Sequence, residues 1–194
     1  MKQSWKAGNM LYPVPSVMVS CQRPGEKPNI ITVAWAGTVC SAPPMVSISV
    51  RPERYSHDII KETGVFVINL TTGRLIRAAD LCGVKSGRDT DKFRELRLTA
   101  GKAFKVSCPV IEESPVNIEC RVKKMLSLGS HDMFLAEVLC VDVSEEYLDK
   151  NGSFELDRTG LTVYSHGEYF ALGKKLGKFG FSVKKRTAKH TGRQ

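Results

Sequence analysis

The sequence predicts a mainly β protein with a few short helices, folded as a closed or nearly closed antiparallel barrel. Two observations lead to this fold class. Apolar and polar residues alternate along much of the chain, which is the pattern of strands with one buried face. The helical signals are few and short, and they lie between the predicted strands. Many strands with short helices between them favour a barrel with added α+β elements.

The strand pattern is clearest in three segments. Residues 116–123 and residues 46–51 each place apolar side chains on one face and polar side chains on the other. The run FLAEVLCVDV is apolar on both faces apart from Glu137 and Asp142. It predicts a central strand that is covered on each side, by the barrel or by a partner subunit. Further strands are predicted near residues 14–21, 29–35, 65–70 and 160–164.

Three helices are predicted, over residues 57–63, 74–82 and 89–96. Ser56 precedes the first helix, Asp58 lies in its first turn and Gly64 follows its end. Gly83 stops the second helix, and Asp89 is the predicted cap of the third.

Length and charge predict one domain followed by a basic tail. A chain of 194 residues with 42% hydrophobic content is long enough for one sizeable core. Of its 29 basic residues, eight lie from Lys174 onward with no acid among them, which leaves 21 basic against 20 acidic residues before that point. We therefore expect a nearly neutral domain over residues 1–183 and a flexible tail over 184–194. The tail is interpreted as a solvated extension, with a nucleic-acid-binding arm as the alternative.

The sequence also narrows the location and the chemistry. It contains no apolar run near the roughly 18 residues that a membrane span needs, and its first residues lack the apolar stretch of a secretion signal. We therefore expect a cytoplasmic protein that does not enter the membrane. Six cysteines form no C-x-x-C pair, and four histidines are widely separated, so no metal site is predicted. The phosphate loop, the dinucleotide fingerprint, the hydrolase elbow and the zinc helix motif are all missing.

Two basic stretches remain as candidates for a binding site. Arg51, Arg54 and Ser56 lie where a predicted strand runs into a helix, and two arginines, a hydroxyl and a helix N-terminus together suit a phosphate group. The alternative is that Ser56 caps the helix and the arginines are solvated. A second stretch, KSGRDTDKF, places Lys85, Arg88 and Lys92 around Ser86 and Gly87, small residues that permit a close approach of the backbone. It too has a plain alternative as a helix entry with Lys92 paired to an acid.

Five stretches, in matching order, resemble the flavin reductase-like, flavoredoxin-type proteins: NIITVAWAGTVCSAPPMVSISVRPERYSHDII, FVINLTT, DLCGVKSGRDTDKF, GSHDMFLAEV and GEYFALGKKLGKFGFSV. The resemblance runs from about Tyr12 to Val183. It implies a split β-barrel of Greek-key antiparallel strands that binds FMN non-covalently and acts as a homodimer. The basic extension after Val183 is not part of the family pattern.

The resemblance also assigns site residues. It places Thr32, Val33, Ala34 and Trp35 beside the flavin ring. It places Arg51, Arg54, Tyr55 and Ser56 on the phosphate side, followed by Asn69 and Leu70 on the next strand. Ser86, Arg88, Lys92 and Phe93 are expected to approach the phosphate or the ring, and His131 and Tyr164 to lie near the flavin, with a contribution across the dimer as one option. Without the resemblance, Trp35 is interpreted as a core residue and His131 as a residue of an exposed turn.

The resulting hypothesis is an FMN-dependent oxidoreductase, either an electron carrier like flavoredoxin or an NAD(P)H:flavin reductase. The flavin itself does the redox chemistry, so no catalytic residue is required, and Lys92 or His131 is expected to tune its potential. The partner is expected to be a nicotinamide nucleotide or a protein that donates or accepts electrons. The alternatives are a flavin-binding dimer without turnover and a small barrel that binds single-stranded nucleic acid.

Overall fold

The computed structural model describes residues 1–183 and confirms a mainly β chain with short helices. The predicted basic tail, residues 184–194, lies outside the described residues. The strands are β1 (Val14–Pro15), β2 (Val17–Cys21), β3 (Asn29–Val33), β4 (Ala36–Ser41), β5 (Pro44–Val50), β6 (Val65–Leu70), β7 (Ala100–Gly101), β8 (Val110–Ile111), β9 (Val116–Ser127), β10 (Asp132–Val143), β11 (Thr162–Ser165) and β12 (Glu168–Ala171). The α-helices are α1 (Tyr55–Thr63), α2 (Ile76–Val84) and α3 (Lys92–Leu96), and short 3-10 turns cover Gly73–Leu75, Glu145–Tyr147, Leu156–Arg158 and Phe181–Val183.

Seven strands form one curled antiparallel sheet in the order β3-β2-β6-β9-β10-β5-β4. The longest strands, β9 and β10, pair along their length, and the register shifts twice, after Leu135 and after Val138. Such bulges increase the local twist and bend a sheet toward closure. A smaller sheet, β1-β11-β12, and a short β7-β8 pair complete the architecture. The chain therefore has the split-barrel form that the resemblance implies.

The barrel is open at one line, because β3 and β4 are the two ends of the sheet. The chain passes from β3 to β4 through Ala34 and Trp35, and the carbonyl of Trp35 accepts a hydrogen bond from the Ser49 N–H at 2.8 Å. The pairing of β4 with β5 reaches only as far as Ile48. Beyond that residue, the end of β5 and the outer edge of β3 border a gap, which we call the seam.

The main core lies inside the curl of the sheet. Its largest fully buried members include Phe66, Phe134 and Ile48, with Ile59 and Ile60 added from α1. A second cluster lies on the other face of β2 and β3, where α2 and α3 pack, and it contains Met18, Ile30, Leu75, Ala78, Ala79, Cys82, Phe93 and Ile111. Because both faces of β2 are covered, all five of its residues are buried. This packing fixes the helices beside the free edge of β3.

Three α-helices are present within residues 1–183, as predicted, but three end assignments were wrong. The second helix does not stop at Gly83 but continues to Val84, because the backbone first becomes extended at Lys85. Arg54, not Ser56, occupies the N-cap of α1, and its side chain makes no capping bond. Ser56 lies inside the first turn and is buried. The third helix begins at Lys92 with Asp91 as its cap, whose carboxylate accepts the Arg94 N–H at 3.2 Å. Asp89 was chosen from the sequence because two aspartates stand close together there and either one satisfies the capping pattern.

The strand predictions need two corrections. The segment predicted as one strand over 29–35 ends at Val33, and a separate strand, β4, follows it. This strand was missed because its six residues are partly or fully exposed and carry no alternation. The segment predicted as one strand near residues 14–21 is likewise two strands, β1 and β2, which belong to different sheets. For β10, cover by the barrel or by a partner subunit was predicted, and the described chain leaves Val141 and Val143 51% and 37% exposed. None of the helices within residues 1–183 has the length and apolar character needed to cross a membrane.

Candidate functional site

The first cleft of the site opens at the seam. It has a volume of about 370 Å³, and we call it the seam cleft. Its walls come from β3, from the Ala34–Trp35 crossing and from the end of β5: Ile31, Thr32, Val33, Ala34, Trp35, Ser49, Val50, Arg51, Glu53, Arg54 and His131. The seam cleft exists because β3 and the end of β5 are separated by a gap, whereas a closed barrel would pair the strands at this point.

One side of the seam cleft is an open strand edge. Among the described strands β3 pairs only with β2. The carbonyl of Ile30 accepts a bond from Lys92 Nζ, so the backbone groups of Ile30 point away from β2. Because backbone groups alternate along a strand, the N–H and C=O of Thr32 point the same way, toward the seam. The cleft therefore offers a ligand a backbone donor and acceptor beside apolar walls.

A second, smaller cleft adjoins the first. It has a volume of about 150 Å³, and we call it the basic cleft. Its lining residues are Asn29, Ile31, Glu53, Arg54, Tyr55, Ser56, Lys85, Ser86, Gly87, Arg88 and Lys92. Four of these are cations and one is an acid, so an anionic group is favoured there.

Arg54 lies between the two clefts and lines both of them. Its Nη2 donates to the carbonyl of Gly83 at the end of α2, which holds the guanidinium in place. Arg88 reaches the same region from the following loop, where it donates to the Glu53 carbonyl at 3.2 Å and lies 5.5 Å from the centre of the Tyr55 ring. The two guanidiniums are therefore held by backbone carbonyls and an aromatic ring, and neither depends on a carboxylate partner.

Lys92 forms part of the inner wall of the basic cleft and is 2% exposed. Its Nζ donates to the carbonyls of Ile30 at 2.6 Å and Cys82 at 2.9 Å. Burial lowers the pKa of this ammonium, and the nearby Arg54 lowers it further. An ammonium has three N–H groups, so one remains for a ligand in the cleft that it lines. The alternative in which Lys92 pairs with an acid is wrong, because both partners are carbonyls.

The floor of the basic cleft is held by Asn29, Ser56 and Gly87. Asn29 Nδ2 donates to Ser56 Oγ at 2.7 Å, and both side chains are buried. A Cβ at Gly87 would lie 2.1 Å from Asn29 Oδ1 and 2.8 Å from a ring carbon of Tyr55. Only glycine fits at this position without movement of its neighbours, so the loop closes tightly over the cleft.

A buried contact between a histidine and a carboxylate links α1 to β10. His57, 3% exposed, contacts Asp58 Oδ1 through Nδ1 at 3.0 Å and Asp132 Oδ2 through Nε2 at 2.8 Å. Bonds from Ser127 and then from His57 lower the pKa of Asp132. His57 lies on α1 beside Ser56, and Asp132 begins β10 beside His131. The contact between their side chains therefore holds α1 against β10.

The charges around the seam cleft are mixed. Arg51 is 56% exposed in its side chain and lies 3.4 Å from Glu53. His131 lines the cleft, and burial, followed by the positive charge of Arg51, lowers its pKa. At neutral pH the imidazole is therefore biased toward its neutral form.

Twelve of the sixteen predicted site residues line one of the two clefts. Seven lie in the seam cleft: Thr32, Val33, Ala34, Trp35, Arg51, Arg54 and His131. The basic cleft adds Tyr55, Ser56, Ser86, Arg88 and Lys92.

The structure does not bring the other four into either cleft. Asn69 is fully buried, where it donates to the Met18 carbonyl at 2.9 Å and accepts from the Ile111 N–H at 2.9 Å. Leu70 packs against the main core, and Phe93 belongs to the second cluster. These residues support the walls rather than line them.

Tyr164 lies on β11 and reaches the site through another aromatic ring. The ring centre of Tyr12 is 6.3 Å from that of Tyr164 and 6.1 Å from that of Trp35. The three rings form a row from the small sheet to the wall of the seam cleft.

Sequence reasoning missed several residues of the clefts. Asn29 and Ser49 carry no motif, since an amide beside a strand and a serine within one are common. Glu53 carries no sequence signal for an anion site, and its contribution is made by its backbone carbonyl, which accepts a bond from Arg88. Gly87 was noted as small, but only the structure shows what its missing side chain would meet.

Comparison with known proteins gives a consistent result. Residues 9–173 match the family model described as flavin reductase like domain. An uncharacterized protein of Archaeoglobus fulgidus is 33% identical over 139 residues, which cover 72% of this chain and 77% of that protein. An NADPH-flavin oxidoreductase of Streptomyces viridifaciens is 29% identical over 125 residues, 63% of each chain.

Solved structures agree in fold. Flavoredoxin of Desulfovibrio vulgaris (Miyazaki F) superposes with a TM-score of 0.88 and 32% identity, covering 95% of this chain and 100% of that one. An FMN-binding protein of Thermus thermophilus, solved with bound 1-cyclohex-2-enone, superposes with a TM-score of 0.76 and 22% identity, covering 92% and 99%.

Proposed function

Because the chain belongs to the flavin reductase-like family, we propose that it is an FMN-dependent oxidoreductase, either a flavoredoxin-like electron carrier or an NAD(P)H-dependent flavin reductase. Family membership supports flavin-linked oxidoreductase chemistry in general. The choice of FMN, the donor and the residues involved are proposals from the geometry.

The observation that carries the proposal is the union of the two clefts at Arg54. FMN has a flat ring system with hydrogen-bonding groups on one edge and a phosphate at the end of a short chain. The seam cleft offers apolar walls and the backbone of Thr32 to such a ring. The basic cleft offers Arg54, Arg88 and the remaining N–H of Lys92 to a phosphate. The residues present therefore fit this cofactor.

Bound FMN would supply hydride or electron transfer, and the chain's own residues prepare the site for it. Thr32 orients the ring edge through its backbone, and Trp35 with Tyr12 limits access of water at one wall. Arg54 and Arg88 bind the phosphate. Lys92, and His131 when protonated, place positive charge near the clefts, which favours added negative charge on the ring.

The two versions of the proposal differ in the electron donor. The relative named as an NADPH-flavin oxidoreductase supports a nicotinamide donor, and the similarity to flavoredoxin supports a protein partner. The missing dinucleotide motif does not decide between them, because stacking on a flavin needs no Rossmann unit.

We also propose that the protein is a homodimer. Val141 and Val143, on the second half of β10, present apolar surface that the described chain leaves exposed. A second copy of the chain would bury this strand end. Light scattering at several protein concentrations tests this point independently of flavin binding.

The visible spectrum of the purified protein tests the central proposal. Flavin absorption bands that survive gel filtration, or that appear after FMN is added, are the expected result. A colourless protein that does not bind added FMN contradicts the proposal. Oxidation of NADPH or NADH by the FMN-loaded protein then separates a reductase from a carrier or a binding protein without turnover.

A further inference from the structure

A third cleft adjoins the seam cleft at Trp35. It has a volume of about 760 Å³ and shares Ala34, Trp35 and Ser49 with the seam cleft, so the two are continuous. Its remaining walls come from the N-terminal segment, from β4, from Ser47 and from Met133. We call it the apolar cleft. Apart from the shared Ala34, Trp35 and Ser49, none of its lining residues takes part in the proposed binding of FMN.

The lining of the apolar cleft contrasts with that of its neighbours. None of its fourteen lining residues, all within residues 1–183, is charged, whereas the seam cleft and the basic cleft both contain arginine. Met10, Leu11 and Val39 present side chains that are 65%, 89% and 49% exposed. Such a concentration of exposed apolar side chains around one concave surface is typical of a ligand site.

We propose that the apolar cleft binds an uncharged, flat, unsaturated small molecule, such as a quinone or an aromatic carbonyl compound, as the second substrate of the enzyme. This inference rests on the proposed function, since it gives the substrate a position beside the ring. The occupant is uncharged because the cleft offers no cation to an anion and no carboxylate to a cation. It is flat because one wall is the Trp35 indole, on which an aromatic or conjugated ring stacks.

The same lining argues against the phosphates of a nicotinamide dinucleotide in this cleft. A pyrophosphate needs cationic side chains or a helix N-terminus, and neither is present among the lining residues. The apolar cleft therefore serves a small electron acceptor of low polarity. A quinone there would take up two electrons and two protons and become the hydroquinone, while the reduced flavin of the proposed function would be oxidised.

Trp35 provides a direct readout of binding. The chain has two tryptophans, and Trp5 is 78% exposed and lies outside the cleft. In a Trp5→Phe background the emission comes from Trp35 alone. Menadione, an uncharged naphthoquinone, should quench this emission with saturation. Its anionic relative, 1,4-naphthoquinone-2-sulfonate, should bind at least about tenfold more weakly, because the cleft gives no compensation for its charge.

A charge placed in the wall should reverse this preference. Val39→Lys introduces an ammonium at a half-exposed position on β4, and Leu156→Lys does the same at a position that is 46% exposed and outside the cleft. Val39→Lys should weaken menadione about tenfold and strengthen the sulfonate, while Leu156→Lys changes neither. Equal effects of the two substitutions, or equal affinity of the unsubstituted protein for the two quinones, would overturn the proposal.

Two further measurements keep the outcomes separate. If Val39→Lys changes the molecular mass measured by light scattering, the apolar cleft is an interface with a second copy, and the proposal is wrong. FMN binding is recorded by absorption on the same samples. A protein that binds menadione at Trp35 but refuses FMN contradicts the proposed function and leaves the apolar cleft as a ligand site.

Discussion

Replacing Arg54 by alanine tests whether the seam cleft binds the flavin ring and the basic cleft binds the phosphate. Arg54 lines both clefts and is held by the Gly83 carbonyl, so its guanidinium is positioned before a ligand arrives. A hydrogen bond to a charged partner contributes about 1.5–3 kcal/mol. Loss of one such bond to the phosphate should therefore weaken FMN binding about 10- to 150-fold. Riboflavin, which lacks the phosphate, should bind almost as before.

Arg51→Ala provides the matched control. Arg51 is an arginine of the same stretch, but it is largely exposed and lies beside Glu53. An exposed charge of this kind contributes up to about 1 kcal/mol, so its loss should weaken FMN by less than about tenfold.

Equilibrium quenching of flavin fluorescence, measured with FMN and riboflavin for both variants, gives the four affinities. Equal weakening of both flavins by Arg54→Ala would contradict phosphate binding by Arg54, because the side chain would then act on the ring or on folding. A larger loss of FMN affinity in Arg51→Ala than in Arg54→Ala would contradict it as well.

Four further predictions concern the clefts and the tail. Gly87→Ala should lower the free energy of unfolding by about 1–3 kcal/mol in denaturant titrations and weaken FMN binding, because the added Cβ would collide with Asn29. Gly73→Ala is the control, since no atom lies within 4 Å of its added Cβ, and it should change neither quantity. FMN affinity should fall as pH rises through the lowered pKa of Lys92, because the ammonium binds phosphate, and this pH dependence should disappear in Lys92→Gln. Lys92→Gln should also lower the flavin midpoint potential by some tens of millivolts in spectroelectrochemistry, because it removes a positive charge near the ring. About 30 mV corresponds to 1.4 kcal/mol. An unchanged potential would limit Lys92 to phosphate binding. Ending the chain at Val183 should leave FMN affinity unchanged in a flavin titration, and a loss would assign a role to the tail.

Much of the fold could be predicted because burial leaves a regular pattern in the sequence. β6 occupies residues 65–70, as predicted, since its apolar run is bounded by Gly64 and a polar turn. β4 escaped prediction because its residues are exposed and its pairing depends on the hairpin with β5. Strands that bury neither face carry little signal in a single sequence.

The candidate site was predictable in its composition and not in its contacts. Twelve of the site residues that the motif resemblance assigns lie in two adjoining clefts of the structure. The sequence did not show that Lys92 is buried between two carbonyls, because the partners, Ile30 and Cys82, act through their backbone. Nor did it show that Asn29 and Gly87 touch, since residues far apart in sequence meet only when the loop packs on β3.

The seam has a consequence for handling the protein without its ligand. A strand with free backbone groups is a template on which another chain can add a strand, and natural proteins cover such edges. β3 ends the sheet with its outer groups facing an open gap, so a flavin in the gap would also act as a plug that blocks intermolecular strand pairing. We therefore expect the flavin-free protein to aggregate faster than the loaded protein at equal concentration. Adding riboflavin alone should slow that aggregation, because the ring, and not the phosphate, would fill the seam.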